Sequence, residues 1–513
     1  MTLEAKNKLN PFNSKKPVAA IFLLGTLLRF QETMSRNFLF LIDQGRDMMA
    51  VKRIIYDHSP TLIGPYTSLQ GVFQGPLWYY LLAVPTVILD GNPWGTVVLM
   101  LTISLSALIV AYLWTKKLFG QTAAIFTLFL FAISPEAVAA ATYTWNPHPM
   151  WLLVILYIFS FYELVVLKKQ RYHLAVWPLI SLMFHFQTAL AVFIFAASLV
   201  FLVIFSRKNI TQKNFFYGTI IGGIFFIPQV LFELRHDFLM TRSVLNIFSG
   251  HDRGLFVGGE NRNYFDLIQS HISLFYYNFG TTFVRDGFLK YLPKLALLLL
   301  IASLALQRRF RLFSKSEWSF ILMIAGLMGI IIIFGIIYPF PLRYWFLTGL
   351  QAIYIVPFGL LLSKAWKGVV GKFGVLIFIA FLMFYSGQKL YSLYMRPPND
   401  GGVAKIKGKL AAIDFIYNDA KGKPFGLLVF TPPVYTYVYD YLIWWHGERK
   451  YKYKPYQDKK GTFYLLMEID PQKPWSYKGW LETVIKSGDI IYTKTLPSGL
   501  IVQKRFVGNS NEL

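Results

Sequence analysis

The sequence predicts a polytopic α-helical membrane protein with about eleven spanning helices, followed by a small extracytoplasmic C-terminal α/β domain. Three observations predict this fold class. Of the 513 residues, 55% are hydrophobic and only 15% are charged, whereas soluble domains contain roughly 25% charged residues. Long apolar runs recur up to residue 393. The hydropathy then falls after Tyr394, where the C-terminal domain is expected to begin.

The apolar runs have the length of membrane-spanning helices. About 20 apolar residues are needed to cross the hydrocarbon core as a helix. Runs of about this length occur at residues 17–34, 94–115, 121–140, 149–167, 173–188, 189–206, 214–232, 289–306, 318–338, 343–363 and 372–393. The shorter stretch 77–89 contains Pro85 and ends in the turn DGNPWG. We interpret it as a half-helix or interfacial helix that does not cross.

Basic clusters predict the orientation of these helices, because cytoplasmic loops of membrane proteins are enriched in Lys and Arg. The clusters occupy every second gap between the apolar runs, at residues 6–16, 116–117, 168–171, 207–213, 308–315 and 364–372. Eleven crossings from a cytoplasmic N-terminus place every cluster inside and the C-terminus outside. The membrane domain then spans residues 1–395, with extracytoplasmic loops at about 35–93 and 233–288, and residues 396–513 form the extracytoplasmic domain.

The composition excludes several other classes of protein. The net charge is +25, but the basic residues lie between apolar runs, which indicates membrane lipids rather than nucleic acid as the partner. The absence of Cys excludes disulfides, thiolate metal sites and Cys nucleophiles. No Walker A loop, dinucleotide fingerprint or HExxH motif is present, so no cofactor is predicted. No spacing of His and carboxylates requires a metal; we assign no metal ligand and leave a divalent cation as an open alternative.

Residues 396–513 alternate strand and helix signals. FGLLVF and TFYLLMEI have the composition of strands, whereas YTYVYDYLIWW and the stretch around WLETVIKS have helical patterns. The stretch DIIYTKTLPSGLIVQKR predicts a β-hairpin that turns at Pro497-Ser498-Gly499. These signals predict a small α/β domain and leave its topology open.

Two carboxylates follow the first predicted helix, in the stretch LIDQGRD. Asp43 lies at the membrane surface and Asp47 lies four residues later, so both would share one face if the segment is helical. Arg46 lies between them. A carboxylate at a partly dry interface is suited to act as a general base on a hydroxyl group. The alternative is that Asp43 caps a juxtamembrane helix with Arg46 as its ion partner.

Polar residues also occur at or inside the ends of predicted crossings. Gln74 begins a Gln-Gly-Pro turn, which by itself is only a helix-start signal. Asn146 and His148, in TWNPHP, mark an irregular boundary that is tolerated where it lines a cavity; a simple loop is the alternative. His185 and Gln187 lie within an apolar stretch, where polar residues usually face a functional site. A hydrogen bond between helices would equally explain them.

Charged residues on the predicted outer side could bind an anion. Glu233, Arg235 and His236 follow the seventh crossing, and the last two could bind a phosphate through charge-assisted hydrogen bonds or reach toward lipid headgroups. Arg343, followed by Tyr344, lies on the outer side against the positive-inside bias. An anionic ligand would explain this position; the alternative is an ordinary surface arginine.

The layout resembles the GT-C superfamily of membrane glycosyltransferases, in the branch of protein O-mannosyltransferases and lipid A aminoarabinose transferases. These enzymes carry an acidic residue just after the first helix, and LIDQGRD matches that position with Asp43. Their turn before a short apolar helix corresponds to Gln74. Their second acidic position, after the third crossing, is occupied here by Asn146, so the resemblance supplies no second carboxylate. Arg343-Tyr344 match an Arg-Tyr run that faces the donor phosphate.

The resemblance implies a glycosyltransferase that moves a sugar from a polyprenyl-phosphate donor, of the undecaprenyl phosphate type in a bacterium, to a lipid, glycan or protein. Asp43 would deprotonate the acceptor hydroxyl, which attacks the anomeric carbon and inverts it. Arg343, with Arg235 or His236, would stabilise the leaving phosphate. The remaining candidates for substrate binding are Asp47, Gln74, Asn146, His148, His185, Gln187, Glu233 and Tyr344.

Two other functions compete with this interpretation. A transporter or flippase of lipid-linked sugars would use the polar residues to line a path, but transporters commonly contain paired repeats with interrupted helices, and no repeat is visible. The polar residues also gather on one predicted side of the membrane. A non-catalytic scaffold would leave His185, Gln187 and Arg343 without a purpose.

Overall fold

The computed structural model describes residues 15–210, 212–249, 263–284, 311–395 and 402–508. The predicted crossing at 289–306 lies outside the described residues. So do residues 6–14 and 308–310 of two predicted basic clusters, and residues 396–401 at the predicted domain boundary.

The chain divides into two compact units. The first unit comprises Met1–Gln31, Thr61–Trp78 and Leu99–Met395, and the second comprises Glu32–Pro60, Tyr79–Val98 and Arg396–Leu513. The second unit therefore contains more than the predicted C-terminal domain. It also includes two segments, 32–60 and 79–98, that the sequence pattern grouped with the membrane domain.

The described part of the chain up to residue 395 is helical. Its helices are α1 (Lys15–Ser35), α2 (Ile42–Ile55), α3 (Leu77–Ile88), α4 (Trp94–Phe119), α5 (Gln121–Ile133), α6 (Pro135–Thr142), α7 (Met150–Val165), α8 (His173–Met183), α9 (Thr188–Phe205), α10 (Lys213–Ile224), α11 (Ile227–Arg235), α12 (Leu239–Phe248), α13 (Tyr264–Thr281), α14 (Lys315–Ile337), α15 (Gln351–Ala365) and α16 (Val369–Tyr394). Short 3₁₀ turns occupy Gln170–Tyr172, Arg207–Asn209 and Tyr344–Leu347.

Several of these helices have the length and composition of membrane spans. Among the described residues, α4, α9, α14 and α16 qualify singly, and the bent pairs α5–α6 and α10–α11 bring the number to six. Helices α3, α7 and α15 are apolar but shorter. The count of eleven crossings and the orientation stay predictions. Helix α3 has 12 residues, a length that fits the predicted interfacial helix better than a crossing.

A buried arginine supports the break between α5 and α6, which meet at an angle of 58°. Pro135 begins α6 and has no N–H to continue the hydrogen bonding of α5. Arg29 of α1 is buried and donates to the carbonyl oxygens of Ala132 at 2.6 Å and Phe131 at 3.0 Å. The cation therefore satisfies two carbonyls at the end of α5, which explains a charge inside an apolar helix.

The C-terminal part of the second unit is built on a four-stranded sheet. Its strands are β1 (Gly426–Phe430), β2 (Gly461–Met467), β3 (Asp489–Thr495) and β4 (Ile501–Val507), in the order β1-β2-β4-β3. Strands β1 and β2 are parallel, and the other neighbouring pairs are antiparallel. The predicted hairpin is confirmed as β3–β4. Gly499 in its turn has φ of +87°, a conformation that glycine adopts without strain.

Helices α17 (Ile406–Ala420), α18 (Tyr437–Leu442) and α19 (Ser476–Trp480) accompany this sheet. Helix α18 continues as a π-helical segment, Ile443–Glu448, and a last turn, Arg449–Tyr451, and α19 continues as a π-helical segment, Leu481–Ile485. The helices predicted around YTYVYDYLIWW and WLETVIKS are thereby confirmed. Helix α17, in contrast, is a finding of the structure that the sequence pattern had not assigned.

The second unit has one main hydrophobic core to which the segment after α1 contributes. Phe40 and Met48 are buried in the same cluster as Ile413 of α17 and Tyr464 of β2. The backbone N–H of Phe40 donates to the carbonyl of Ala404 at 3.0 Å. Helix α2 and the sheet domain therefore share one core, although they are more than 350 residues apart in sequence.

Asp414 joins α17 to the end of the α18 segment and is expected to make the second unit acid-sensitive. Its Oδ1 accepts from Lys450 Nζ, Tyr451 Oη and His446 Nε2, each at 2.8 Å. Burial would raise the pKa of this carboxyl, but the hydrogen bonds from Lys450, Tyr451 and His446 lower it below its ordinary value. A carboxyl with a depressed folded-state pKa stabilises the fold at pH values above its unfolded pKa of about 3.9, and this stabilisation is lost as pH falls below that value.

We therefore expect Asp414→Asn to lower the thermal unfolding midpoint of the full-length protein at pH 7 by about 2–4 °C, with the difference shrinking as pH falls through the depressed folded-state pKa of Asp414. Tryptophan fluorescence would follow the unfolding. Asp458→Asn is the matched control, because Asp458 is exposed, its ion pair with Lys460 Nζ is 3.9 Å long, and an asparagine oxygen can still accept the hydrogen bond from the Lys460 backbone N–H. Equal midpoints for wild type and Asp414→Asn at pH 7 would contradict the assigned stabilisation.

Candidate active site

The first turns of helix α2 contain the two carboxylates and the arginine that the sequence predicted as site residues. Asp43, Arg46 and Asp47 are at positions i, i+3 and i+4 and therefore lie on one face of the helix. The Gln44 side chain accepts from the backbone N–H of Leu41 at 2.8 Å, which fixes the start of the helix. The predicted helical spacing of the two carboxylates is thus present in the structure.

Arg46 links the two carboxylates. Its Nη1 lies 3.0 Å from Asp43 Oδ1, and its Nη2 lies 2.7 Å from Asp47 Oδ1. Its Nε also donates to Asp47 Oδ1 at 2.9 Å. Arg46 further hydrogen-bonds the Tyr79 hydroxyl at the start of α3. Burial would lower the pKa of Arg46, but the negative charges of Asp47 and Asp43 raise it above its ordinary value. The arginine is therefore a fixed positive charge shared by two carboxylates.

The two carboxylates differ in exposure and so in what they can do. The Asp43 side chain is 30% exposed, whereas that of Asp47 is fully buried. The structure describes no hydrogen bond to Asp43 Oδ2, which leaves one oxygen available to a reacting group. Asp47 binds Arg46 from the buried side of α2. Because Asp47 is buried, a role in positioning Arg46 suits it better than a role in contacting substrate. The site therefore contains one partly exposed carboxylate, that of Asp43, which Arg46 orients at the start of α2.

Helix α2 is held tightly against α18. A Cβ atom added to Gly45 would lie 2.5 Å from the backbone N of Val438 and 2.8 Å from the backbone C of Tyr437. Such distances leave no room for a side chain, so only glycine permits this approach. Phe40, just before α2, and Met48, within α2, are buried in the core that α2 shares with the sheet domain. The C-terminal domain therefore fixes the helix that carries Asp43.

In the first unit, four of the predicted polar residues bond to backbone. His185 Nδ1 accepts from the N–H of Leu77 at 3.3 Å, and its Nε2 lies 3.0 Å from the carbonyl of Phe225. Asn146 Nδ2 donates to the carbonyl of Phe186 at 2.7 Å, and His148 Nδ1 lies 2.6 Å from the carbonyl of Tyr143. Gln187 Nε2 donates to the carbonyl of Trp345 at 2.5 Å.

The bonds of His185, Asn146 and Gln187 involve residues 184–187, the irregular link between α8 and α9. Gly75 packs so closely here that a Cβ would lie 2.0 Å from His185 Nδ1, and its N–H donates to the carbonyl of Phe184 at 3.3 Å. Gln74, next to it, is buried, and no partner for its Oε1 is found among the described residues. The structure thus brings Gln74, His185, Asn146 and Gln187 to one irregular region, in which the side chains of the last three bond to backbone groups. Their predicted contact with substrate stays a prediction.

The segment that carries Arg343 and Tyr344 is anchored by buried side chains of α13. His271 Nε2 lies 3.0 Å from the carbonyl of Phe340 and 3.2 Å from the N–H of Leu342. Asn278 Nδ2 donates to the carbonyl of Leu347 at 3.2 Å, and Gln187 holds Trp345 as described above. Arg343 itself lies over the ring of Trp345, 6.0 Å from its centroid. Three side chains therefore bond to the backbone on both sides of Arg343, and His271 Nε2 either donates to Phe340 or accepts from Leu342 according to its tautomer.

His271 and Asn278 were missed at the sequence level, although a signal existed. They are seven residues apart and so lie on one face of α13, where buried polar side chains mark a packing or binding role. His271 Nδ1 and Asn278 Oδ1 have no partner among the described residues. The predicted loop 233–288 thus contains a helix whose polar face supports the Arg343 segment.

Glu233, Arg235 and His236 lie at the end of α11, as the sequence predicted. Glu233 caps the following helix: its carboxylate accepts from the N–H of Met240 at 2.8 Å and from the N–H and hydroxyl of Thr241 at 2.9 Å and 2.6 Å. This bonding assigns Glu233 a structural role. Arg235 and His236 are exposed and keep their predicted role in phosphate binding.

The described residues contain no group of three or more His, Cys, Asp or Glu side chains that could hold a metal ion. Asp43 and Asp47, the most suggestive pair, share Arg46 as their common partner.

Comparisons with known proteins agree with this fold. Residues 74–232 match the family model of dolichyl-phosphate-mannose-protein mannosyltransferases. Two crystal structures of ArnT from Cupriavidus metallidurans, one bound to undecaprenyl phosphate and one in the apo state, match with TM-scores of 0.57 and 0.55. Each is 12% identical in sequence, and each match covers 95% of this chain and 97% of the other. No significant match was found among curated protein sequences.

The shared fold and the apolar helices identify an integral membrane protein. The matched family segment includes α3, Asn146 and the irregular region around His185. The resemblance inferred from the sequence is therefore confirmed, and the chain has the fold of GT-C membrane glycosyltransferases of the ArnT and protein mannosyltransferase type.

Proposed function

We propose that this protein transfers a sugar from a polyprenyl-phosphate donor to an acceptor hydroxyl group on the outer side of the membrane, with inversion at the anomeric carbon. One observation carries the proposal. Asp43 is partly exposed, has one oxygen without a described hydrogen bond and is oriented by Arg46 and Asp47, at the position where the resemblance places the catalytic carboxylate. The GT-C fold, which is also that of an ArnT structure bound to undecaprenyl phosphate, supports it.

In the proposed reaction, Asp43 accepts the proton of the acceptor hydroxyl. The acceptor oxygen forms a bond to the anomeric carbon, while the bond from that carbon to the phosphate oxygen breaks. The polyprenyl phosphate leaves with the electron pair of the broken bond. A general base within hydrogen-bond reach of the attacking hydroxyl contributes typically 10²–10⁴-fold to such a step. Inversion follows from a single in-line displacement.

Arg343 is the proposed phosphate ligand, because a cation that is fixed before the reaction stabilises charge that develops on the leaving group. Its backbone is fixed on both sides by His271, Asn278 and Gln187. His271 and Asn278 keep the Arg343 segment in place without needing to contact the donor. Arg235 and His236 are the further candidates for the phosphate.

The acceptor belongs to one of three classes: a lipid, a glycan or a protein. All three can present a hydroxyl group to a base at the membrane surface. The Lys and Arg excess of the chain, 51 against 26 acidic residues, fits partners and lipids that carry negative charge.

The test is a transfer assay on the purified full-length protein in detergent, with a panel of polyprenyl-phosphate sugars and with lipid, glycan and peptide acceptors. We expect transfer of one sugar and a product of inverted configuration by NMR. Detergent solution also separates the proposal from a flippase, which would form no new glycosidic bond under these conditions. Absence of transfer with every donor, together with sugar-lipid translocation in proteoliposomes, would reject the proposal in favour of the flippase.

Arg343→Gln is expected to raise the KM for the donor about tenfold or more, because hydrogen bonds to charged groups contribute about 1.5–3 kcal/mol. Arg171→Gln, in a basic cluster on the predicted opposite face, is the control and should leave the KM unchanged. An unchanged donor KM in Arg343→Gln would remove Arg343 from phosphate binding.

A further inference from the structure

A cavity of about 780 Å³ lies in the first unit between α1, α4 and α5. This volume falls within the range of about 300–1,000 Å³ that is typical of ligand sites. The described residues that line it are Lys15, Val18, Ala19, Phe22, Ile109, Tyr112, Lys116, Gln121 and Leu128. None of these lining residues is among those assigned to sugar transfer, and the cavity has no part in the proposed reaction.

The cavity combines apolar walls with a cationic end. Ala19, Phe22 and Ile109 supply apolar surface. Lys15 is the first residue of α1, and Lys116 lies in the last turn of α4. The lining contains these two lysines and, among the described residues, no carboxylate. The described part of the lining is therefore positively charged.

The polar wall near the lysines is organised by a hydrogen bond. Tyr112 Oη donates to Gln121 Oε1 at 3.2 Å, and Lys116 Nζ lies 5.8 Å from the centroid of the Tyr112 ring. The Tyr112–Gln121 bond leaves the amide nitrogen of Gln121 as a further donor beside the lysine. Lysine ammonium and amide N–H groups are the donors that bind phosphate oxygens.

The predicted topology assigns the two lysines to one face of the membrane. Lys15 and Lys116 belong to two different basic clusters, 6–16 and 116–117, which the positive-inside pattern places on the same cytoplasmic face. Both now line one cavity. An apolar groove at the depth of the hydrocarbon region would be filled by lipid, because water is absent from that region. The charged end then selects among lipids by their headgroups.

We infer that this cavity binds an anionic phospholipid of the cytoplasmic leaflet, with the headgroup phosphate at Lys15, Lys116 and Gln121 and an acyl chain along Phe22 and Ile109. Each basic residue near a membrane surface contributes about 1 kcal/mol to the attraction of anionic lipid. Removing both lysines is therefore expected to lower the preference for anionic over zwitterionic lipid about thirtyfold.

The experiment uses full-length protein in nanodiscs of equal parts phosphatidylglycerol and phosphatidylcholine, followed by extraction into detergent and mass spectrometry of the retained lipid. Wild type should retain phosphatidylglycerol. The double variant Lys15→Gln/Lys116→Gln should lose this preference. The control Lys367→Gln/Lys372→Gln removes two charges from another basic cluster, 364–372, and should behave as wild type.

A second variant tests the apolar part of the cavity without changing its charge. Ala19→Phe places a ring in the lining and should reduce retention of phosphatidylglycerol. The inference is overturned if wild type retains both lipids equally or if the lysine double variant keeps the wild-type preference. It is also overturned if undecaprenyl phosphate, added at equal amount, displaces the phosphatidylglycerol, because the cavity would then hold the carrier of the donor instead.

Discussion

Asp43→Asn is expected to lower kcat for sugar transfer by about 100- to 10,000-fold, the range contributed by a general base. Asparagine has nearly the same shape as aspartate but cannot take the proton of the acceptor hydroxyl. Asp47 Oδ1 accepts from both Nε and Nη2 of Arg46, so the arginine keeps its position in the variant. Donor KM should change little, because the phosphate is assigned to other residues.

Asp57→Asn is the matched control for this measurement. Asp57 lies just after the same helix, is 45% exposed and forms an ion pair with Lys52 at 2.9 Å. The substitution makes the same chemical change in the same unit, and we expect full activity. Steady-state kinetics and the thermal unfolding midpoint should be measured for both variants. If Asp43→Asn retains wild-type kcat, or if both variants lose activity equally, Asp43 is not the base.

The parts of the fold that depend on local sequence were predictable. The strands of the C-terminal domain follow from short apolar runs, and the β3–β4 hairpin follows from the Pro-Ser-Gly turn. Helix α17 could have been found as well, because Ile406, Leu410, Ile413 and Ile416 repeat at helical spacing. The packing of α2 against the sheet domain could not be predicted. It depends on contacts such as those of Phe40 and Met48 with a core formed more than 350 residues later, and no periodicity encodes such pairing.

In the candidate site, too, features that depend on local sequence were predictable, whereas contacts between distant segments were not. The spacing of Asp43 and Asp47 predicted a shared helix face, which the structure contains. Polar residues inside apolar runs, such as His185 and Gln187, could be flagged because they are costly in a membrane. Their partners are backbone groups of irregular segments, and such groups cannot be identified from side-chain chemistry in the sequence. The bonds from α13 to the Arg343 segment could not be predicted either, because their partners are also backbone groups.

Gly45→Ala is expected to lower kcat about 100-fold through displacement of Asp43. In an open helix this substitution would stabilise the protein by about 0.5–1 kcal/mol. Here the new Cβ would lie 2.5 Å from the backbone N and 2.6 Å from the Cα of Val438. Backbone atoms cannot rotate away as a side chain can, so α2 must shift by about 1 Å, and a displacement of that size can cost about 10²-fold in rate.

Gly479→Ala is the matched control, because Gly479 lies in α19 of the same domain and a Cβ there would meet nothing within 4 Å. It should retain activity. The decisive measurement is a double-mutant cycle with Asp43→Asn, since residues that act through one another have non-additive effects. If Gly45 acts by positioning Asp43, then Gly45→Ala should cost little further activity in the Asp43→Asn background. Full additivity would instead mean that Gly45→Ala impairs the enzyme by general destabilisation, and the C-terminal domain would then have no specific role in placing the proposed base.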